Sequence, residues 1–437
     1  MHAAIERDPI LQIRNVRKSF ARPDGGELLV LDGVNLEVRI GEIVGLVGRS
    51  GSGKSTLLRL IAGLSEPSAG ELRYLGESIE GPARGIAMVF QSFALFPWLT
   101  VFENVAIGLQ AQRVPRAEIR RRSLAAIDLI GLDGFESAYP RELSGGMRQR
   151  VGFARALVVH PNILLMDEPF SALDVLTAET LRTDFLELWA DGRMPLKSVV
   201  LVTHNIEEAV LMCDRILLFG TNPGRILSEI AVRLPQPRNR LDPSFRELVD
   251  RVYSEMTARP LGSLADRNEK APGQGIGTVL PRVSSNLLSG LMETVAAAPF
   301  NGTADLPKLA SDLQMESDEL LPLAETLQMM RFAEISGGDI KLTDAGIQFA
   351  NADLDERKRV FRRHLLSFVP LAGHIRRVLD ERPSRSARKS RFLEELEDYM
   401  SEDDAEQTLR AVVSLARYAE AFAYDDESNA FSLEDPT

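Results

Sequence analysis

The sequence predicts an α/β domain built on a largely parallel sheet, followed by a smaller, mostly helical domain. Three observations carry that expectation. Short apolar, β-branched runs at Ile43–Val47, Ile163–Met166, Val199–Thr203 and Ile216–Phe219 each lead into a helical stretch, the order of a parallel sheet covered on both faces. Between Gln91 and His160 strand runs stop and helical patterns such as Ala117–Ile130 take over. Beyond residue 284 apolar stripes at helical spacing dominate.

In chain order, the opening MHAAIERDPI carries acids and no apolar core, so it does not read as a signal peptide. The α/β domain spans about 10–234, with a helical subdomain over about 91–160. A connector, 235–283, opens on the proline- and arginine-rich PQPRNRLDP. It holds a short helical piece near Pro243–Met256 and a polar, glycine-rich linker at Gly262–Gly277. The second domain spans about 284–432. Its apolar stripes are Leu287, Leu288, Leu291 and Val295, then Leu306, Leu309, Ala310 and Leu313, then Leu320, Leu323, Ala324 and Leu327. A hairpin follows, Phe332–Ile335 and Ile340–Leu342, turned by Ser336-Gly337-Gly338-Asp339. Three helices and then a hairpin is the order of a winged helix, and helices are expected to continue to about Phe422.

Composition narrows the function. The balance of 44% hydrophobic and 26% charged residues is that of a soluble globular chain. The single cysteine, Cys213, allows no intrachain disulfide, which fits a reducing compartment. The five histidines, His2, His160, His204, His364 and His374, are scattered and lack metal-ligand spacing. No apolar run reaches the ~18 residues of a membrane span, so any membrane role needs a partner chain. The net charge of −12 is concentrated at the end: residues 281–437 hold 18 Lys+Arg against 29 Asp+Glu, a net −11 that argues against nucleic acid there.

The chemistry lies in two motifs. Gly48-Arg49-Ser50-Gly51-Ser52-Gly53-Lys54-Ser55-Thr56 matches the Walker A phosphate loop, between the strand Ile43–Val47 and a helical stretch from Ser55 to Ala62. Its glycines let successive amides face a polyphosphate, and the helix N-terminus adds about half a positive charge. Lys54 should reach the β and γ phosphates of ATP and Ser55 should ligate Mg²⁺. In Ile163-Leu164-Leu165-Met166-Asp167-Glu168, a buried strand ends on two acids. Asp167 is placed to hold magnesium and Glu168 to act as general base on water.

Leu143-Ser144-Gly145-Gly146-Met147-Arg148-Gln149-Arg150 matches the ABC signature, and over about residues 10–235 the chain resembles the ATPases of ABC transporters. The resemblance implies a P-loop nucleotide-binding domain whose Ser144, Gly145 and Gly146 face the γ phosphate bound by a second copy. A homodimer then completes two ATP sites. It also implies that Gln91 is the Q-loop glutamine, contacting Mg²⁺ or water. Ser171-Ala172-Leu173-Asp174 becomes the D-loop at the dimer interface, His204 the switch histidine on the γ phosphate, and Phe20 the aromatic that stacks on adenine. Asn205 stands where the family often has aspartate.

Phe96-Pro97-Trp98-Leu99-Thr100-Val101-Phe102-Glu103-Asn104-Val105 resembles the segment with which prokaryotic importers receive a permease helix; singly, Phe96 and Trp98 could equally pack the insert's own core. Pro97–Thr100, Asn205–Ala209 and Asn222-Pro223-Gly224-Arg225-Ile226 are similar to the nitrate, sulfonate, taurine and bicarbonate importer group, and residues 284–430 resemble an accessory domain of some members. The resemblance implies ATP and Mg²⁺ as cofactors, integral-membrane permease subunits as partners and, indirectly, a solute-binding protein. It implies a peripheral place on the cytoplasmic face of the membrane. Two other readings stand beside it: a non-transport soluble ABC ATPase, and an ATP-dependent regulator with its winged helix on DNA. The third helix of that domain, Ser317–Thr326, has three acids and no base, which opposes phosphate contact. The basic clusters Arg357–Arg363 and Arg382–Arg391 read as solvated helix faces, and the domain as a regulatory or dimer-stabilising module.

Overall fold

The computed structural model describes residues 9–21, 26–221, 223–257, 276, 280–281, 283–397, 400 and 402–433. The first eight residues, Asn222 and, but for Ile276, the glycine-rich linker lie outside them. The chain divides into two compact units, Met1–Val249 and Asp250–Thr437.

The first unit opens with strands β1 (Leu11–Ala21), β2 (Glu27–Val38) and β3 (Ile43–Gly48), then helix α1 (Lys54–Ile61), β4 (Ala69–Tyr74), β5 (Glu77–Ser78) and β6 (Ile86–Val89). The helical insert contributes α2 (Val101–Ala111), α3 (Arg116–Leu129) and α4 (Gly145–Leu157). β7 (Ile163–Asp167), α5 (Val175–Ala190), β8 (Ser198–Thr203), α6 (Ile206–Met212), β9 (Arg215–Phe219) and β10 (Ile226–Ala231) complete it, and α7 (Pro243–Thr257) crosses the division.

The core sheet has the order β10-β9-β3-β8-β7-β6. All its pairings are parallel except β10 with β9. β3 and β8 are buried along their whole length, which is why they read as unbroken apolar runs. The register places Val47 opposite Thr203 and Asp167 opposite Val202. The carboxyl ends of three strands therefore share one edge, where ligands bind in open α/β sheets.

The sequence reading missed the second sheet, β2-β1-β4-β5, which is antiparallel. Register shifts between Ile13 and Val16 and between Val16 and Lys18 break the two-residue alternation that reveals such strands. Its inner face, with Leu11, Ile13, Val16 and Leu36, joins Leu57, Leu58 and Leu60 of α1 and Leu46, Leu165 and Val200 of the parallel sheet in one core. Each buried leucine contributes about 1.5–3 kcal/mol, so the helix that carries Lys54 is firmly seated.

In the second unit, α8 (Ser285–Ala296), β11 (Thr303–Asp305), α9 (Leu306–Leu313), α10 (Ser317–Met329), β12 (Ala333–Ser336) and β13 (Asp339–Leu342) follow in winged-helix order, with a sheet β11-β13-β12. Of the first stripe, Leu288, Leu291 and Val295 are buried, but Leu287 is 52% exposed; it falls off the inward face by one residue. Helices α11 (Asp344–Asn351), α12 (Leu354–Phe368) and α13 (Pro370–Glu381) come next. Helices continue to Ala419, as α14 (Lys389–Glu397) and α15 (Glu402–Ala419), but a short strand not foreseen, β14 (Ser386–Arg388), comes before them. It pairs with β16 (Ala430–Ser432), which also pairs with β15 (Ala423–Asp425). Three-residue strands are too short to leave a periodic signal. Phe332, Phe349 and Phe361 centre the unit's core, and the His364 ring stacks on Phe332 at 4.5 Å, a packing role. The basic cluster on α12 is paired: Arg357 with Glu293, Lys358 with Glu420 at 2.5 Å, Arg359 with Glu356.

Within the expected connector, the described parts are anchored. Gln236, Arg238 and Arg240 bond to the first unit, and Leu280, buried, donates its amide to Thr408 Oγ1 of α15.

Candidate functional site

The phosphate loop lies between the C-terminus of β3 and the N-terminus of α1. Gly51 and Gly53 have φ of 74° and 93°, backbone that side chains rarely adopt. A Cβ at Gly48 would stand 2.4 Å from Phe219 O, and one at Gly53 2.8 Å from Leu31 Cδ2. Lys54, the first residue of α1, is 4% exposed. Its Nζ donates to Gly48 O (2.5 Å), Arg49 O (2.7 Å) and Ser52 Oγ (3.3 Å), so the ammonium sits inside the loop it closes.

The neighbouring strand ends complete the cluster. Ser55 Oγ donates to Asp167 Oδ1 at 2.9 Å. Glu168 sits at φ 46°, a left-handed conformation that costs about 1–3 kcal/mol in a non-glycine residue. An extended strand would send consecutive side chains to opposite faces. Here the turn lets both acids serve one site: Asp167 meets Ser55, while Glu168 Oε2 takes Gln91 Nε2 at 3.0 Å and lies 3.2 Å from His204 Nδ1. Gln91 also donates to Ser171 Oγ at 3.2 Å.

The two carboxyls are electrostatically distinct. His204, with Nδ1 3.2 Å from the carboxylate, holds the Glu168 pKa below the usual carboxylate range despite partial burial. Burial, aided by the charge of Glu168, raises that of Asp167 against the opposing hydrogen bond from Ser55. A negative charge at Asp167 is thus under-compensated by the protein alone, which suits a cation. Ser55 hydroxyl, Asp167 carboxylate and Gln91 amide are the oxygen donors Mg²⁺ prefers. Among the described residues no group of three acidic, His or Cys side chains could hold a metal unaided. The oxygen donors of Ser55, Asp167 and Gln91 fit a magnesium that takes its other ligands from water and nucleotide phosphate.

The remaining predicted residues lie apart from this cluster. Ser144 caps α4, its Oγ accepting from Met147 N at 3.3 Å, and is exposed with the helix N-terminus at the surface. A Cβ at Gly146 would meet Thr177 Cγ2 at 2.3 Å, so a side chain there would force Thr177 to shift. Asp174 is an exposed cap of α5, accepting from Thr177 N at 3.0 Å. Phe20 is 45% exposed on β1, with Lys18 Nζ 4.9 Å from its ring centroid. Asn205 caps α6, accepting from Glu208 N at 2.9 Å, a role that asparagine fills as well as aspartate.

After Gln91, Phe96 and Trp98 are 36% and 69% exposed and contact each other at 5.6 Å; Trp98 does not serve the insert's core. Their loop is tied by Asn104, fully buried, which accepts from Phe96 N and donates to the carbonyls of Phe96, Leu99 and Thr100. Thr100 and Glu103 form a capping box on α2.

Sequence reasoning passed over Arg155 and did not foresee the local contacts of Ser171 and Gly224. Arg155 of α4 donates to Ala94 O (2.5 Å) and Phe93 O (3.1 Å), bracing two left-handed residues just after Gln91. Ser171 hydrogen-bonds Gln91. Gly224 donates its amide to Val30 O, and a Cβ there would stand 2.1 Å from Ser52 O of the phosphate loop. Only the glycine in Asn222–Ile226 hinted at that close approach.

With this geometry in place, comparisons with known proteins agree. The ABC transporter family model matches residues 31–171, and a model described as a C-terminal AAA-associated domain matches residues 307–425. The nitrate import ATP-binding protein NrtD of Synechocystis sp. is 41% identical over 258 residues, 57% of this chain and 96% of that protein. The bicarbonate transport ATP-binding protein CmpC of the same organism is 41% identical over 297 residues, 66% of this chain but 43% of that protein. A solved dimeric bacterial ABC transporter cassette is 33% identical, covering 52% of this chain and all of its own, with a TM-score of 0.46. The chain belongs to the ATP-binding proteins of the ABC transporter family. Its first unit is a P-loop ATPase domain, and its nucleotide is ATP. No helix among the described residues is long and apolar enough to cross a membrane.

Proposed function

We propose that this chain energises uptake of a small anion, of the nitrate, sulfonate, taurine or bicarbonate kind, through permease subunits on other chains. Two copies would close on two ATP molecules at the cytoplasmic face of the membrane. The observation that carries the reading is the convergence of Lys54, Ser55, Asp167, Glu168, Gln91 and His204 at one sheet edge. Identity of 41% across 96% of a nitrate import protein supports the solute class, and the exposed Phe96 and Trp98 support a permease contact.

In this reading the loop amides and Lys54 grip the β and γ phosphates, and Phe20 stacks on adenine. Magnesium, when bound by Ser55, Asp167 and Gln91, would offset phosphate charge. Glu168, held ionised and oriented by His204, takes the proton of the attacking water. The water oxygen bonds to the γ phosphorus, the bond to the bridging oxygen breaks, and ADP leaves with that electron pair. Ser144, Gly145 and Gly146 of the second copy present the N-terminus of α4, with its partial positive charge, to the same γ phosphate. Asp174 sits at the dimer seam. A solute-binding protein would deliver the anion outside. The second unit would regulate the cycle or stabilise the dimer. Its α10 contains no Lys or Arg, so the DNA-bound regulator gains no support from it.

Glu168→Gln tests the site. It keeps ATP binding, lowers kcat by about 100-fold or more, and yields an ATP-stabilised dimer on gel filtration with Mg²⁺. A monomer that turns over normally contradicts the assignment.

A further inference from the structure

The connector after β10 does not run clear of the ATPase unit. Arg238, with its side chain 1% exposed, lies against the end of α6. Its Nη1 donates to the carbonyls of Val210 (2.8 Å), Leu211 (3.2 Å) and Cys213 (2.7 Å), its Nε to Leu234 O (3.2 Å), and Nη2 lies 3.7 Å from Asp214 Oδ1. Gln236 Nε2 donates to Leu211 O as well. A helix leaves its last carbonyls without intrahelical partners, and a cation there also meets the negative end of the helix dipole. One guanidinium satisfies both needs. Two residues on, Arg240 bridges two helices: Nη1 is 3.1 Å from Glu179 Oε1 of α5, and Nε is 3.7 Å from Glu207 Oε2 of α6.

These helices are the two that follow catalytic loops. α6 is seven residues long, about 10 Å, and His204 stands two residues before its start. α5 begins directly after Asp174. A short, well-packed helix moves as a rigid piece, so a shift at its Arg238 end moves its Asn205 cap and the histidine beside it. The buried pair Arg182–Glu208 (3.6 Å) joins the same two helices from within.

We propose that Arg238 and Arg240 are positioning residues for hydrolysis: through α6 they fix His204 against Glu168, so the connector toward the second unit sets the geometry of the general base. The proposal rests on the ATPase site described above and adds the connector to it.

The test compares full-length wild type, Arg238→Ala, Arg238→Lys and His204→Ala, alone and combined, for ATP affinity, kcat and melting temperature. Arg238→Ala should lower kcat about tenfold with ATP affinity within about twofold. Lysine, which keeps the charge without the fork, should recover part of the loss. The effect should vanish in the His204→Ala background, because a residue that acts through the histidine has nothing left to act on. An unchanged kcat, an equal fold-loss without His204, or affinity falling in step with kcat overturns it. Arg240→Ala and Glu207→Gln, which remove less buried partners, carry the same comparison if Arg238→Ala does not fold. Wild-type protein with no ATPase activity would overturn the site reading and the clasp with it; active wild type with indifferent variants overturns the clasp alone.

Discussion

At Glu168 the site combines a strained backbone with a lowered pKa, and both serve one end. The turn at φ 46° sets the carboxylate beside Gln91 and His204, and His204, 3.2 Å away, lowers its pKa. Replacing His204 with alanine removes the principal cause of that shift. The Glu168 pKa then rises, and the acid limb of the kcat–pH profile moves to higher pH; an unmoved limb would contradict the coupling. The same sign governs stability. A depressed carboxylate pKa stabilises the fold above the unfolded value, and that contribution is lost as pH falls through the folded value. The residues of this cluster were legible because each ends a strand or opens a helix in a fixed motif. The left-handed turn at Glu168, and the bracing by Arg155 and Gly224, were not. They depend on contacts between segments far apart in sequence, such as Arg155 with Phe93 and Gly224 with Ser52.

Among the elements, the loop before α2 depends most on a single side chain. Asn104 is fully buried and makes all its hydrogen bonds to the loop carrying Phe96, Trp98 and Thr100. Asn104→Ala strips these and removes the side-chain partner of the part-buried Phe96 N and Leu99 O, at a cost of about 1–3 kcal/mol to the ATPase unit. Chemical denaturation followed by the fluorescence of Trp98 and Trp189 measures this; a change below about 0.5 kcal/mol would mean the loop is held by something else. The parallel strands were readable because burial on both faces makes continuous apolar runs. The antiparallel β1–β2 pair was not, since its bulges and charged outer face scramble the alternation. In the second unit the stripes on α8, α9 and α10 announced the helices, whereas β14, β15 and β16 are three residues each and left no pattern.

For the whole molecule, the excess of acidic charge lies away from the phosphate loop in the sequence. Residues 281–437 hold 18 Lys+Arg against 29 Asp+Glu, and no residue of the phosphate site lies among them. Deleting residues 281–437 should leave Glu168-dependent hydrolysis in place and change its rate or its response to solute supply. Truncated and full-length proteins that match in both would remove the regulatory reading. The central claim is that each ATP site is built from two copies, with Lys54 from one and Ser144 from the other. Mixing tests it most directly. Lys54→Ala and Ser144→Arg chains, each inactive alone, are co-refolded or co-expressed in equal amounts and assayed for ATPase activity. Half of the dimers then carry one intact site of two, so about a quarter of wild-type activity should return. Activity no higher than that of either variant alone would contradict the shared site.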